Sequence, residues 1–307
     1  MTGSEPAATD AGVVSWRGVL GGTEQRLTAA GIASPSVDAR RLVEEASGLM
    51  GAHLILGLDE PATAEQVARL DELVSRRVAG EPLQYVLGRW AFRSLELMVA
   101  RRVLIPRPET EQVCELALAE LDRFPSARRA DAATTPTAPV VADLGAGSGA
   151  LGLAVAVERP GTDVWAVERS AAAAEVCRAN VAGLGPAARR VHVVEGSWFA
   201  PLPDDLRGTL AVVVSNPPYV AADDPLPADV ADWEPTEALV PGPTGLEDIT
   251  HLVAEAPRWL APGGALVVEI GETQGPAVAA LAREAGFAEV EIRPDHNGRD
   301  RALVARP

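Results

Sequence analysis

The sequence predicts an α/β protein in which a small helical domain precedes a doubly wound, mostly parallel sheet. From residue 140 onward, apolar runs of strand length alternate with helical stretches, as happens when helices cover both faces of a parallel sheet. Between residues 15 and 80, apolar residues recur at helical spacing without strand-like runs. The chain of 307 residues is long enough to form both parts.

Composition and charge exclude several classes of protein. Twenty-seven basic and 43 acidic residues give a formal net charge of −16, which argues against a general binder of DNA, RNA or anionic membranes. Every basic residue is arginine, so a lysine nucleophile, a lysine Schiff base and a phosphate-loop lysine are all excluded. We therefore expect neither DNA nor a membrane among the partners.

The two cysteines and the amino terminus indicate where the protein works. Cys114 and Cys177 are far apart and form no C-x-x-C pair, which makes a disulfide framework or a cysteine-based zinc site improbable. The first residues lack the basic and apolar regions of a signal peptide, and no long apolar run follows. We expect a cytoplasmic protein, and we assign no metal site because the four histidines are scattered.

The predicted domain organisation has four parts. Residues 1–12 are small, polar and acidic, which predicts a disordered terminus. Residues 13–84 form a helical domain of three or four helices, the last opened by a Thr-x-x-Gln capping box at residues 63–66. Residues 85–107 form a linking hairpin, and residues 108–307 form the α/β domain.

The hairpin region is unusually basic for this acidic chain. It carries five arginines and one acid, Glu96. A solvated linker face and a strip that docks a partner both explain such a charge run, and the sequence leaves the two open. The arginines are Arg89, Arg93, Arg101, Arg102 and Arg107.

The elements of the α/β domain follow from runs of apolar residues. A helix over about 109–123 is followed by a Pro-, Ala- and Thr-rich loop at 125–139. The predicted strands are 140–144, 163–168, 191–195, 210–215, 265–270, 289–293 and 301–306. Further helices begin at 150 and 171, one spans about 249–260, and one ends at 285. Because the last two strands follow each other directly, one strand at or near the sheet edge is expected to run antiparallel.

A glycine-rich loop follows the first strand of the α/β domain. Its residues are Gly145, Ala146, Gly147, Ser148 and Gly149. Glycines at the amino end of a helix let a ligand lie against bare backbone, which favours a nucleotide-type cofactor. Glu168 ends the second strand, where a carboxylate accepts hydrogen bonds from ribose hydroxyls. Both NAD and S-adenosylmethionine carry such a ribose, so this pair of features leaves the cofactor open.

The sequence Asn216-Pro217-Pro218-Tyr219 follows the fourth strand and narrows the chemistry. The Asn216 side-chain oxygen and the Pro217 carbonyl are two acceptors on a stiff backbone, suited to the N–H bonds of a planar NH2 group. Tyr219 adds an aromatic wall for a planar amide or a sulfonium. These residues predict methyl transfer to an amide or amino nitrogen, with Asn216, Pro217 and Tyr219 as catalytic residues.

Several motifs occur together in the order found in a known family. They are GEPLQYVLGRWAF at 80–92, LIPRPETE at 104–111, the GAGSG loop, the Asn-Pro-Pro-Tyr sequence, and EAPRWLAPGGALVVEIGETQG at 255–275. With the helical amino-terminal domain, they resemble the PrmC (HemK-like) peptide chain release factor glutamine methyltransferases. The resemblance covers about residues 15–305.

That resemblance implies a fold, a reaction and a cofactor. The fold is the Rossmann-like class I methyltransferase fold, and the cofactor is S-adenosylmethionine. The reaction is N5-methylation of the Gln side chain in the Gly-Gly-Gln motif of class-1 release factors. We expect the protein to be a monomer, with its amino-terminal helices and the basic strip helping to dock the release factor.

The resemblance also implies roles for individual residues. Gly145 to Gly149 would surround the methionine and ribose portion of the cofactor, Glu168 would hold the ribose hydroxyls, and Trp198 would pack beside the adenine. Asn216 would contact both cofactor and substrate, and Asn216, Pro217, Pro218 and Tyr219 would hold the substrate. Arg107 and Glu109 would support the site. Ser197 stands where many family members have Asp, which leaves the adenine contact at that position in question.

Two other functions fit parts of the same pattern. An adenine-N6 DNA or rRNA methyltransferase uses a similar arrangement on an exocyclic amine, but needs a flipped base and a basic track. A non-catalytic protein that retains the fold would bind a partner without methylating it. Residues 232–235, Asp-Trp-Glu-Pro, follow the Asn-Pro-Pro-Tyr sequence and are candidates for a gating segment.

Overall fold

A computed structural model describes residues 14–125 and 138–307 of the chain. These residues divide into two compact units at the Leu87–Gly88 bond. The predicted disordered terminus lies outside the described residues, and so does most of the predicted loop at 125–139. In the described parts of the chain, no helix combines the length and the apolar character needed to cross a membrane.

The amino-terminal unit contains three longer helices and two of five residues each. They are α1 (Trp16–Ala29), α2 (Pro35–Ser47), α3 (Ala52–Leu56), α4 (Ala64–Val78) and α5 (Leu83–Leu87). The predicted capping box is present, since Thr63 Oγ1 accepts from the Gln66 N–H and Gln66 Oε1 accepts from the Thr63 N–H. The predicted helical spacing is confirmed by Leu42 and Val74, which are fully buried in the core of this unit.

The carboxyl-terminal unit begins with the predicted hairpin. Its strands, β1 (Arg89–Phe92) and β2 (Leu95–Met98), pair antiparallel. Phe92 and Leu97 are buried with the sheet and helix residues of this unit. The hairpin is thus part of the α/β unit's core, and is followed by α6 (Pro108–Arg123), which starts with proline at a position where no N–H is needed.

Seven strands form one sheet in the order β5-β4-β3-β6-β7-β9-β8. The strands are β3 (Val140–Leu144), β4 (Asp163–Glu168), β5 (Val191–Glu195), β6 (Leu210–Ser215), β7 (Leu260–Glu269), β8 (Glu289–Pro294) and β9 (Asp300–Arg306). In this sheet, β9, the strand next to the edge, pairs antiparallel with both β7 and β8, whereas the other described pairs are parallel. This confirms the prediction of one antiparallel strand at or near the sheet edge.

Helices connect these strands. They are α7 (Ala150–Glu158), α8 (Ala171–Ala182), α9 (Ala228–Ala231), α10 (Glu247–Glu255) and α11 (Gly275–Glu284). The helix expected over about 249–260 starts slightly earlier and ends at Glu255, where a short 3-10 turn over Ala256–Arg258 replaces it. Pro257 lacks the backbone N–H that a continued α-helix requires, which explains the early end.

The core lies on both faces of the central strands. Every residue of β6 is buried, as expected for a parallel strand covered on both sides. One apolar layer packs the sheet against α6 and α7, and a second packs it against α10 and α11. Burial raises the pKa of the Cys114 and Cys177 thiols to about 12, so these two residues are core groups rather than nucleophiles.

The strand order places a crevice at one edge of the sheet, where ligands bind in sheets of this type. The chain passes from β3 to β4 on one side, and later enters the sheet on the other side of β3 through β6. Such a reversal opens a crevice at the carboxyl ends of the strands. The glycine loop follows β3 and the Asn-Pro-Pro-Tyr sequence follows β6, so the two motifs meet at this crevice.

Candidate functional site

A cavity opens in the crevice, and its empty space, counted out to the solvent at its mouth, is about 900 Å³. The predicted residues that line it are Gly145, Ala146, Gly147, Ser148, Glu168, Trp198, Asn216 and Pro218. Gly149, Pro217 and Tyr219 are not among the described residues that line the cavity. Their predicted roles therefore stay predictions.

The glycine loop reverses the chain sharply between β3 and α7. Gly145, Gly147 and Gly149 have φ angles of +74°, +56° and +87°, a region that favours glycine. The backbone N–H groups of Gly145 and Ala146 both donate to the Val167 carbonyl at 2.9 Å. The loop is therefore fixed to the end of β4, and Gly147 faces open space in the cavity.

Two glycines of this region also serve helix packing. A Cβ at Gly149 would lie 2.8 Å from Cys177 Sγ, and one at Gly152 would lie 2.9 Å from Asp143 Oδ2. The Gly152 N–H donates to Asp143 Oδ2 at 2.8 Å. Burial raises the pKa of Asp143, which also lines the cavity, to about 7. Gly152 thus acts in helix–strand packing.

Glu168 holds the loop from the second strand. Its carboxylate accepts the Gly147 N–H at 2.9 Å and the Ser170 N–H at 2.8 Å, although only 8% of the residue is exposed. A carboxylate has about four acceptor positions, so two remain after these bonds. Glu168, which lines the cavity, is therefore fixed in orientation and keeps two acceptor positions that these backbone bonds do not use.

The Trp198 ring lines the cavity and packs against the glycine loop. A Cβ at Gly145 would lie 3.2 Å from Trp198 Cζ3, so the ring and the loop are in close contact. Trp198 has a φ of +51°, which is unusual for a bulky residue and marks a locally constrained backbone. The neighbouring Ser197 lines the cavity.

Asn216 is held by a buried polar group that sequence reasoning missed. Its Nδ2 donates to Thr110 Oγ1 at 3.2 Å, and the Thr110 hydroxyl donates to Glu269 Oε2 at 2.7 Å. The Tyr219 hydroxyl donates to the other carboxylate oxygen, Oε1, at 3.3 Å. Thr110 lies in α6 and Glu269 ends β7, so residues of α6 and β7 meet at the end of β6.

Burial sets the protonation behaviour of this group. Glu269 is 1% exposed, and burial raises its pKa to about 7 despite the hydrogen bond from Thr110. Burial and the Glu269 carboxylate together raise the pKa of the Tyr219 phenol, which therefore stays protonated and able to donate.

Residues 235–238 form a further wall of the cavity. Pro235, Glu237 and Ala238 line it. Just before them, Trp233 lies under the Arg101 guanidinium, whose carbon is 3.6 Å from the ring centroid. The Glu237 carbonyl accepts from Arg169 at 2.7 Å. The segment predicted as a gate therefore lies at the cavity, and its movement stays a prediction.

The arginines of the basic strip all have partners within the carboxyl-terminal unit. Arg93 binds Glu158, Arg102 binds Glu175, and Arg89 lies 3.4 Å from Glu96. Arg107 pairs with Glu234, and Arg101 stacks on Trp233 as described. Four of the five arginines in the basic strip thus pair with acidic residues of their own unit. Neither of the two interpretations drawn from the sequence predicted this pairing.

Other predicted features have simpler places. His192, one of the four scattered histidines, is exposed and stacks on Trp165, with ring centroids 4.7 Å apart, so it lies at the protein surface. Arg107 supports the site through Glu234, whereas the neighbouring Thr110, rather than Glu109, contacts Asn216. Among the described residues, no three His, Cys, Asp or Glu side chains are grouped so as to hold a metal ion.

The fold is that of the methyltransferases. The hMettl16 catalytic domain, solved in complex with MAT2A 3'UTR hairpin 6, superposes with a TM-score of 0.53 at 16% identity, over 76% of this chain and 82% of that one. At this identity, the likeness speaks for the fold alone. The Methyltransferase small domain family matches residues 130–229, and the PrmC N-terminal domain family matches residues 19–88.

Curated relatives define the family more narrowly. The release factor glutamine methyltransferase of Cereibacter sphaeroides is 40% identical over 92% of this chain and 94% of its own length. That of Burkholderia pseudomallei is 43% identical over 89% of this chain and 93% of its own. The chain belongs to the release factor glutamine methyltransferase family, which confirms the resemblance and the predicted fold class. It is a methyltransferase, and its family and fold imply the use of S-adenosylmethionine.

Proposed function

We propose that this protein binds S-adenosylmethionine in the cavity between the glycine loop and Asn216, and methylates the side-chain N5 of the Gln in the Gly-Gly-Gln motif of class-1 release factors. The observation that carries the proposal is that Asn216 and Pro218 line the same cavity as Gly147 and Glu168. Relatives of about the same length bear the name of this activity. Since release factors act in translation, this substrate also favours a cytoplasmic location.

The residues of the cavity fit the proposed cofactor. Gly147 leaves open space where a side chain would project, so a ligand can approach the backbone. Glu168 offers fixed acceptor positions for the two ribose hydroxyls, and Trp198 offers a flat apolar surface for the adenine. When bound, S-adenosylmethionine supplies a methyl group already activated on a sulfonium.

The Asn-Pro-Pro-Tyr residues supply what the substrate amide needs. An amide nitrogen is a poor nucleophile because its lone pair is delocalised into the carbonyl. Asn216 Oδ1 and the Pro217 carbonyl accept its two N–H bonds, which holds the nitrogen in place and stabilises the positive charge that it gains. Two consecutive prolines fix the backbone, so that little reorganisation is needed. As the N–CH3 bond forms, the S–CH3 bond breaks and its electron pair stays with the sulfur, while the nitrogen gives up one proton to water. Most of the rate enhancement comes from positioning.

Charge favours a protein substrate over a nucleic acid. The chain carries −16 overall, and each arginine of the basic strip has an acidic or aromatic neighbour in its own unit. A base-flipping enzyme needs cations that are available to phosphates along a track beside the site. The binding-only alternative leaves the polar residues around Asn216 without a use.

The proposal is tested by incubating the protein with labelled cofactor and three candidate substrates. These are a class-1 release factor, duplex DNA and rRNA, with a release factor whose Gly-Gly-Gln glutamine is changed to Glu as the matched control. We expect label only in the unaltered release factor, and peptide mass spectrometry is expected to show one added methyl group on that Gln. Label in the nucleic acids, or in none of the substrates although the cofactor binds, would overturn the proposal.

A further inference from the structure

The polar groups behind Asn216 form a hydrogen-bond chain with a fixed direction. An ionised carboxylate can only accept, so both Thr110 and Tyr219 must give their hydroxyl hydrogens to Glu269. Thr110 has a single hydroxyl hydrogen, and once that hydrogen points at Glu269, its oxygen can only accept from Asn216. The Asn216 amide must then turn its NH2 end to Thr110, as the 3.2 Å contact shows.

This direction determines what Asn216 offers to the cavity. The two ends of a planar amide point in different directions, so an NH2 group bound to Thr110 leaves Oδ1 for the cavity that Asn216 lines. The reversed amide would present NH2 to a substrate NH2, and two donors cannot bond each other. The side chain of Asn216 alone does not decide between these two orientations, because both fill the same space.

We propose that Thr110 and Glu269 are positioning residues, and that the ionised Glu269 carboxylate orients the Asn216 amide so that its oxygen faces the reacting nitrogen. The inference rests on the proposed function, because it needs a substrate that donates N–H bonds to Asn216. Thr110 lines the cavity beside Asn216, whereas Glu269 is not among the described residues that line it, and both act on the reacting nitrogen through Asn216.

Protonation of Glu269 would remove the fixed donor-to-acceptor direction of this series of hydrogen bonds. A neutral carboxyl group carries its own hydrogen and can donate to Thr110, whose hydroxyl is then free to donate to Asn216 Oδ1 and hold the amide in the reversed orientation. Burial brings the pKa of Glu269 to about 7, so this change falls near neutral pH. The groups that face it are Glu109 and Thr110 from α6, Tyr219 after β6 and Arg301 from β9, of which Glu109 raises its pKa and the other three lower it.

Variants of Thr110 test the positioning role. Thr110→Val keeps the shape but removes the acceptor for Asn216, and we expect kcat to fall on the order of 10-fold to 10²-fold, with the cofactor Kd and the release-factor KM little changed. Thr110→Ser restores most of this loss, because it restores the hydroxyl. Thr162→Val is the matched control, since Thr162 is equally buried in the same unit, away from the cavity lining. A Thr110→Val enzyme with the kcat of Thr162→Val would overturn the proposal.

The pH profile of kcat tests the role of ionisation. For the wild type we expect kcat to rise through neutral pH, and for Glu269→Gln we expect a low kcat without that rise, because Gln cannot ionise. Glu120→Gln, at another buried glutamate of the unit, retains the rise. If Glu269→Gln does not fold, Tyr219→Phe serves instead: it removes one donor to the carboxylate and shifts the rise to higher pH. The inference is contradicted if kcat of the wild type does not rise with pH, or if the rise is unchanged in Glu269→Gln or in Tyr219→Phe. A wild type that never methylates the Gln contradicts the proposed function itself.

Discussion

Arg107 and Glu234 form an ion pair that joins the segment before α6 to the segment that follows the Asn-Pro-Pro-Tyr sequence. Glu234 is buried, and its Oε2 also accepts the Ile105 N–H at 3.1 Å. Pro235, the next residue, lines the cavity. The pair therefore holds one wall of the candidate site, which a local reading of either segment does not reveal.

Removing Arg107 should weaken both the fold and the site. Arg107→Ala leaves the buried Glu234 carboxylate without its cation, and since Arg107 is partly exposed we expect a loss of about 1–3 kcal/mol in the free energy of unfolding. Cofactor affinity should fall too, because the wall at residues 235–238 loosens. Denaturant unfolding and calorimetric titration measure the two effects. Arg293→Ala, which removes an exposed pair with Glu291, is the control, and an Arg107→Ala protein that behaves like it would contradict this role.

Two glycines of the loop should differ in what they do when replaced by alanine. Gly149→Ala places a Cβ 2.8 Å from Cys177 Sγ at a φ of +87°, so we expect a loss of a few kcal/mol in stability. Gly147→Ala meets no atom within 4 Å, so its cost is limited to about 1 kcal/mol of backbone strain at a φ of +56°. Its Cβ enters the cavity, however, and should weaken cofactor binding. Equal stability losses in the two variants would show that the packing argument is wrong.

Glu168 should matter for cofactor affinity more than any acid beside it. The Glu168 carboxylate fixes the Gly147 and Ser170 N–H groups, and Glu168→Gln removes its charge and two of its acceptor positions. We expect the cofactor Kd to rise about 10-fold to 10²-fold. Glu195→Gln is the matched control, because Glu195 pairs with Glu168 in register on the neighbouring strand. Isothermal titration with S-adenosylhomocysteine gives both values, and similar Kd values would remove Glu168 from the site.

Glu269 should also change how stability depends on pH. Its folded-state pKa of about 7 lies above the ordinary 4.5, so the folded protein holds this proton more tightly than the unfolded chain. The resulting stability is fully present below about pH 4.5 and is lost as the pH rises through 7. Glu269→Gln removes this loss, so its free energy of unfolding relative to wild type should increase from pH 5 to pH 8. A constant difference across that range, measured by urea unfolding, would contradict the raised pKa.

Local patterns predicted most of the fold. The strands of the sheet could be predicted because near-continuous apolar runs such as Leu210–Ser215 are typical of buried parallel strands. The glycine loop and Asn216 were found because each follows such a strand directly. The least accurate boundaries were the end of α10, where the apolar spacing continues past Pro257 although the helix does not, and the start of β7, which lies at Leu260 instead of 265.

The supporting residues could not be predicted in the same way. Thr110 and Glu269 are far apart in the chain, and their meeting depends on how α6 packs against β7. Nothing local distinguishes Glu269 from an acid that ends any strand, although its place at the carboxyl end of a central strand was a usable signal. The same holds for Glu234, whose partner Arg107 belongs to a charge run that suggested an exposed surface.

The most direct test of the central claim compares the wild-type protein with Asn216→Ala on a full-length class-1 release factor. Both proteins are first shown to bind S-adenosylmethionine, and methylation of the Gly-Gly-Gln glutamine is then followed by peptide mass spectrometry over time. We expect the wild type to add one methyl group to that glutamine, and Asn216→Ala to do so on the order of 10²-fold to 10³-fold more slowly. Equal rates in the two proteins would contradict the account, since the amide of Asn216 would then have no part in holding the reacting nitrogen.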